Sequence, residues 1–184
     1  MKKFFFRYSS VLIGIVGLFT GMSREVVAEN PDHVINKAQA ELAKEPLTIS
    51  SKDGRKHSFI IEVAKTPKEQ EVGEMFRTSI PENGGMLFMW PAPQRSMMWM
   101  KNTLVSLDMV FIGVDHHIQA IAENTVPYSL APVSSQGPVI ATLELKGGIT
   151  EKLGIKVGDV VDSAIFDNSI SNEKKSAGKN TSRL

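Results

Sequence analysis

A chain of 184 residues with 42% hydrophobic and 22% charged residues is the size of one domain and apolar enough to bury a core of its own. Its formal net charge of +1, with no lysine-arginine cluster in its central part, argues against a nucleic-acid binder, which needs a basic face to neutralise phosphates. Cysteine is absent, which excludes a disulfide framework, a thiol nucleophile, thiolate metal ligation and a lipoprotein anchor.

The first ten residues carry Lys2, Lys3 and Arg7, and the apolar run Val11–Phe19 has the length of a signal-peptide core rather than of a membrane span. Val26-Val27-Ala28 ends in a small residue, so cleavage near Ala28 and a periplasmic or secreted location are expected. The alternative is an uncleaved anchor, which would be the chain's link to a membrane. Loss of Met1–Ala28 removes four basic residues and one acidic residue, taking the formal charge from +1 to −2. Residues 29–46 form a polar spacer, expected to be helical because Val34, Ile35, Ala38 and Leu42 recur at near-helical intervals. Residues 167–184 are almost all Ser, Asn, Lys and Gly, too polar to offset the entropy of ordering, and are expected to form a disordered tail.

Between these ends, residues 47–166 form the domain. Leu47–Ile49 and the turn Lys52-Asp53-Gly54 lead into His57–Val63, where Phe59, Ile61 and Val63 alternate with Ser58, Ile60 and Glu62, the two-residue period of a strand. Thr66-Pro67-Lys68-Glu69 reads as a helix start with a threonine cap, proline at the first helical position and a glutamate reaching back; the helix is expected to run to about Glu74. Gly85–Trp90, Met97–Met100 and Leu107–Ile112 are short apolar runs broken by proline or polar residues, as central strands are. Asp115-His116-His117 turns the chain into a strand at Ile118–Ala122. Val139–Leu145 and Val157–Val161 supply two more, with a short helix near Thr150–Leu153. No repeat and no regular strand-helix alternation appears, so the expected fold is mainly β (α+β): a compact, barrel-like antiparallel or mixed sheet with one or two short helices.

Gly73-Glu74-Met75-Phe76-Arg77, Gly85-Met86-Leu87-Phe88, Trp99-Met100-Lys101-Asn102-Thr103, Leu107-Asp108-Met109-Val110-Phe111 and Leu143-Glu144-Leu145, in this order and spacing, resemble the DUF192 family over roughly Leu47–Phe166. The resemblance implies a compact β-rich fold and no established reaction. Two positions depart from the family pattern: Glu74, where leucine usually precedes the methionine, and Ser106, where proline commonly precedes the leucine-aspartate pair.

Arg77, Lys101 and Asn102 are donor-rich residues in apolar surroundings, suited to converge on an anionic or sugar-like small molecule, with Trp90 beside them. The plainer reading makes Lys101-Asn102-Thr103 a tight turn with Asn102 left-handed, and gives Arg77 a carboxylate partner. Asp108 lies in a strand so apolar that its carboxylate needs a partner, for which Arg77 or Lys101 is the natural choice. Asp108 with Glu62 or Glu144 could instead make a carboxylate pair for hydrolysis, though no nucleophile or base motif accompanies them.

Met75, Met86, Met89, Met97, Met98, Met100 and Met109 could hold Cu(I), but methionines at alternating positions usually pack a core. His33, His57, His116 and His117 have no metal-ligand spacing, and the pairs Gly84-Gly85 and Gly147-Gly148 read as turn or bulge residues, so neither metal nor nucleotide cofactor is implied. Trp90 and Trp99 flank the rigid Pro91–Arg95 loop; Trp99 is expected in the core, whereas Trp90 suits either a core lid or an aromatic surface for a sugar or a peptide. Three functions fit these features: a non-enzymatic binding or accessory module in the periplasm, a cell-envelope hydrolase using a carboxylate pair, and a structural protein-interaction module.

Overall fold

The computed structural model describes residues 35–166; the expected signal segment, the start of the spacer and the expected tail lie outside them. The described chain forms β1 (Lys44–Ser50), β2 (Lys56–Ala64), α1 (Pro67–Val72), β3 (Gly84–Met98), β4 (Leu107–Ile112), β5 (Ile118–Ala122), β6 (Val133–Lys146), α2 (Ile149–Leu153) and β7 (Val160–Asp162). A last helical turn begins at 164. The seven strands make one sheet in the order β5-β4-β6-β3-β2-β1-β7, all neighbours antiparallel except the β2–β3 pair. His117 bridges to Val160, bringing the two ends of the sheet together, so the sheet is nearly closed into a barrel.

Alternation along the strands explains the core. Leu47, Phe59, Ile61, Leu87, Val110 and Leu143 point inward and are fully or almost fully buried, each large side chain contributing about 1.5–3 kcal/mol by leaving water. The outer face is buried as well, because Ile80 and Met100 pack over Met109 and Phe111, and Ala64, Met86 and Phe88 form a further cluster. Both faces of β4 are therefore covered, which is why its burial is unbroken.

Three expectations are corrected. Residues 35–43 of the spacer are not helical but approach the sheet as irregular chain, anchored where Gln39 Nε2 donates to the Glu69 and Gly73 carbonyls and the Leu42 N–H donates to Glu62. The runs Gly85–Trp90 and Met97–Met100 are not separate strands: β3 continues through Pro91 and Pro93, because a break in its register with β6 between Met89 and Gln94 leaves those positions without ladder partners. Of the pair Gly84-Gly85 only Gly84 closes a turn, its N–H donating to the Pro81 carbonyl at 3.1 Å; both glycines start β3, where a Cβ on Gly85 would collide with the Glu144 carbonyl oxygen.

Candidate functional site

Alternation on the outer face sets up the site. Glu62 on β2 pairs with Met86 on β3, Met86 with Glu144 on β6, and Glu144 with Met109 on β4, so both glutamates lie on one cross-strand row facing out of the barrel. Helix α1 sits above this row. Its capping box is complete, with Thr66 Oγ1 accepting from the Glu69 N–H at 3.2 Å and Glu69 Oε2 accepting from the Thr66 N–H at 2.8 Å. The helix stops at Gly73, whose φ of 48° and ψ of −131° suit glycine and whose missing Cβ leaves room for the Phe88 ring. The chain then drops back toward the sheet and carries Glu74, Met75 and Arg77 onto the carboxylate row.

Between α1, this segment and the end of β3 lies a cavity of about 250 Å³. Glu74, Met75, Phe88, Trp90, Met98 and Glu144 line it, and Glu71 on α1 and Trp99 also stand on its wall. Phe88 and Trp90 stack at 6.4 Å between ring centroids. Three residues around the cavity hold left-handed backbone that is uncommon without glycine: Phe76 at φ 62°, Asn102 at 55° and Tyr128 at 60°. Their backbones tie the loops together, since the Phe76 N–H donates to the Asn102 carbonyl at 2.9 Å and the Tyr128 N–H to the Thr103 carbonyl at 3.2 Å.

The charged groups are unequally partnered. Arg77 forks onto Glu62, with Nη1 to Oε1 at 2.6 Å and Nη2 to Oε2 at 2.8 Å. Burial acts most strongly on Glu62 and pushes its carboxyl up, yet Arg77, the Leu42 N–H and Lys44 together outweigh it and hold Glu62 below the usual range. Arg77 Nε also lies 2.9 Å from Glu74 Oε2, but the N–H is misaligned, and both atoms are buried without a hydrogen bond. Burial therefore prevails at Glu74 over the pull of Arg77 and, helped by repulsion from Glu62, lifts its carboxyl to about 7. Glu144 is 4% exposed and has no hydrogen-bond or ion-pair partner among the described residues; burial first, then the nearby Glu74, pushes it well above the ordinary value. Trp90 Nε1 is a further buried donor, without a hydrogen-bond partner among the described residues.

Arg77 and Glu62 thus come together, Glu144 and Trp90 share the cavity, and Glu74 stands between the two groups. Asp108 joins neither, and the expected pairing with Arg77 or Lys101 is corrected: its side chain shares the inward parity of Val110 and Ile112, whereas Arg77 lies over the outward row. Four donors hold Asp108 instead: the Asn124 and Gly148 N–H groups at 2.8 and 2.9 Å, and the Thr150 N–H and hydroxyl at 2.9 and 2.7 Å. Asn102 is a turn residue whose amide reaches Met75 Sδ at 3.8 Å. Lys101 is exposed, with Nζ 5.1 Å from the centre of the Trp99 ring. Trp99 is not in the core; it is 49% exposed at the rim, because β3 has ended and the chain is turning away. Met75, Met86, Met100 and Met109 are buried packing residues, whereas Met97 is exposed. Among the described residues no group of three or more His, Asp or Glu side chains is placed to hold a metal ion.

The profile of DUF192, "Uncharacterized ACR", matches residues 48–163. The chain belongs to the DUF192 family. Two solved structures are similar at 39% identity. One is a candidate transcription regulator from Sinorhizobium meliloti 1021, with a TM-score of 0.67, covering 69% of this chain and 98% of the other. The second is a protein of unknown function from Novosphingobium aromaticivorans DSM 12444, with a TM-score of 0.64 and coverage of 68% and 94%. No curated protein matches the chain.

Within this DUF192 domain the residue that sequence reasoning missed is Glu74. It was visible as a departure from the family pattern, and a charged residue inside an apolar motif is itself a signal that something nearby uses it. Its position beside Glu144 depends on how the chain turns after α1.

Proposed function

We propose that this DUF192 protein is an exported, non-enzymatic small-ligand binding or accessory module whose site is the cavity between α1 and the outer face of the sheet. Export is supported by the signal-like Met1–Ala28, and N-terminal sequencing of the periplasmic product checks it: a start at about Glu29 is expected, and a membrane-held chain starting at Met1 would reject it. Binding is supported above all by Glu144, a buried carboxyl that has no partner among the described residues and faces a cavity with stacked aromatic walls. A buried polar group without a partner costs stability, and a ligand able to hydrogen-bond with it recovers that loss. The Arg77 fork is already committed to Glu62, so the arrangement favours a ligand without negative charge, sugar-like or cationic, over an anionic one. A thermal-shift screen of uncharged, cationic and anionic small molecules tests this, with Trp90→Ala and Glu144→Gln expected to abolish any ligand-induced rise in Tm.

The hydrolase alternative draws its support from Glu74, whose carboxyl near 7 would suit acid-base chemistry. Turnover of cell-envelope polysaccharide that disappears in Glu74→Gln would favour it over binding.

A further inference from the structure

We infer that the cavity takes a small organic cation carrying N–H donors, a primary or secondary ammonium, which displaces protons from Glu74 and Glu144 as it binds. This deepens the binding reading above and rests on it.

The acceptors come first. Glu144 has no donor among the described residues, and Glu74 has a guanidinium close by whose N–H misses it, so two carboxyl groups at one cavity each lack an aligned donor. An ammonium supplies several short-reach donors at once, and its charge compensates the carboxylates it meets. No described lysine or arginine lines the cavity itself: Arg77 stands behind Glu74 and is committed to Glu62, and Lys101 stays at the rim over Trp99.

The walls point the same way. Phe88 and Trp90 stack beside the carboxyls, and Trp99 stands at the rim, an arrangement whose ring faces attract a partly desolvated cation. Lys101 sets a cation 5.1 Å from the Trp99 ring centre, within the distance at which a ring face attracts one. Met75 and Met98 add polarisable apolar surface suited to a short methylene chain. The volume of about 250 Å³ lies below the usual range for drug-sized ligands, which limits the occupant to a few carbons.

Proton exchange follows from the same geometry. Glu74 meets the charge of Glu62 and Glu144 that of Glu74, with Arg77 behind Glu74 and Glu71 on the lining, and burial favours the protonated forms of both cavity carboxyls. A bound cation reverses that preference, each carboxyl that ionises releasing its proton to the buffer. Affinity must therefore rise with pH.

Three four-carbon probes of different charge provide the test: 1,4-diaminobutane, the uncharged 1,4-butanediol and the dianion succinate, titrated calorimetrically into the full mature chain. The diamine is expected to bind, roughly tenfold or more tightly at about pH 8 than at about pH 5.5, with a heat that varies with buffer ionisation enthalpy. Glu144→Gln keeps the shape and is expected to lower that affinity at least about tenfold, with circular dichroism unchanged. Glu74→Gln provides a second reading should Glu144→Gln fail to fold. If butanediol or succinate binds as tightly as the diamine, and Trp90→Ala removes that binding, the cavity is a ligand site but the cation inference is overturned. If none of the three binds a folded wild-type protein at millimolar concentration, both are overturned.

Discussion

Asp108 and Glu144 are buried carboxyl groups on neighbouring strands of one sheet, yet their surroundings are opposite. Asp108, on the inward parity of β4, receives three backbone N–H groups and a hydroxyl at 2.7–2.9 Å from Asn124, Gly148 and Thr150. It ties the entry of α2 and the loop after β5 to the sheet. Glu144, on the outward parity of β6, receives no donor among the described residues and faces a cavity. Burying a polar group is costly unless it is hydrogen-bonded, so Asp108 reads as part of the scaffold and Glu144 as a group that the scaffold leaves open. Burial of an acidic residue therefore marks neither role until its donors are counted.

The largest expected effect tests the scaffold side. Asp108→Ala leaves three backbone N–H groups and the Thr150 hydroxyl without their acceptor, and is expected to cost about 3–5 kcal/mol in urea denaturation. A loss below about 1 kcal/mol would mean that water readily replaces the carboxylate and that the contrast with Glu144 is false.

Next comes Glu74, where pH gives the sign. Its carboxyl is raised from 4.5 to about 7, so its favourable contribution is complete below about pH 4.5 and is lost as pH rises through about 7. Each decade of proton affinity corresponds to about 1.4 kcal/mol, which makes the loss up to about 3 kcal/mol by pH 8. Glu74→Gln avoids that loss. Its stability relative to the wild type is therefore expected to rise by up to about 3 kcal/mol from about pH 4 to about pH 8, read from denaturation midpoints across the range. A flat difference would mean that the Arg77 contact, despite its misalignment, compensates Glu74 fully.

How much of this contrast could be read from residues alone depends on range. The two-residue period of Phe59, Ile61 and Val63 and the Thr66–Glu69 cap are local patterns, and both are present as expected. The donors to Asp108 are backbone N–H groups and a hydroxyl 16 to 42 residues away that only the closed sheet brings in and that carry no charge signal in the sequence, so the basic residues Arg77 and Lys101 looked like the natural partners. Counting parity along Leu107–Ile112 would have placed Asp108 with Val110 and Ile112, but it could not show that Arg77 lies over the opposite face. Glu62 and Glu144 were identifiable as acidic residues in apolar strands, whereas their shared row rests on the β2-β3-β6 register. Pro91 and Pro93 read as a break because their effect depends on whether a ladder partner stands opposite, and here none does.

A smaller effect of opposite sign tests the open side. Replacing Glu144 with methionine extends the apolar row of Met86 and Met109 and removes a buried polar group that has no partner, so Glu144→Met is expected to stabilise the protein by about 1–3 kcal/mol at neutral pH. It should also abolish diamine binding, a trade of function against stability typical of binding residues. A destabilised variant would show that Glu144 has structural donors after all.

The smallest expected effect concerns Lys101, which sequence reasoning grouped with Arg77 in one polar site. Its ammonium is exposed and lies over the half-exposed Trp99 ring, so Lys101→Met should change stability by less than about 1 kcal/mol in thermal melts. The effect on binding is the sharper measurement, because it carries a sign. Lys101 does not line the cavity, and its positive charge at the rim opposes the approach of a cation, so removing it should leave the affinity for 1,4-diaminobutane unchanged or slightly increased, most visibly at low salt where screening is weak. An anionic ligand would respond in the opposite sense, losing affinity when the lysine is removed. If Lys101→Met weakens binding of the diamine severalfold while the fold is intact, the lysine belongs to the site, the ligand is not recognised through its charge, and the line drawn between a closed scaffold carboxylate and an open binding one has to be redrawn around the Trp99 rim.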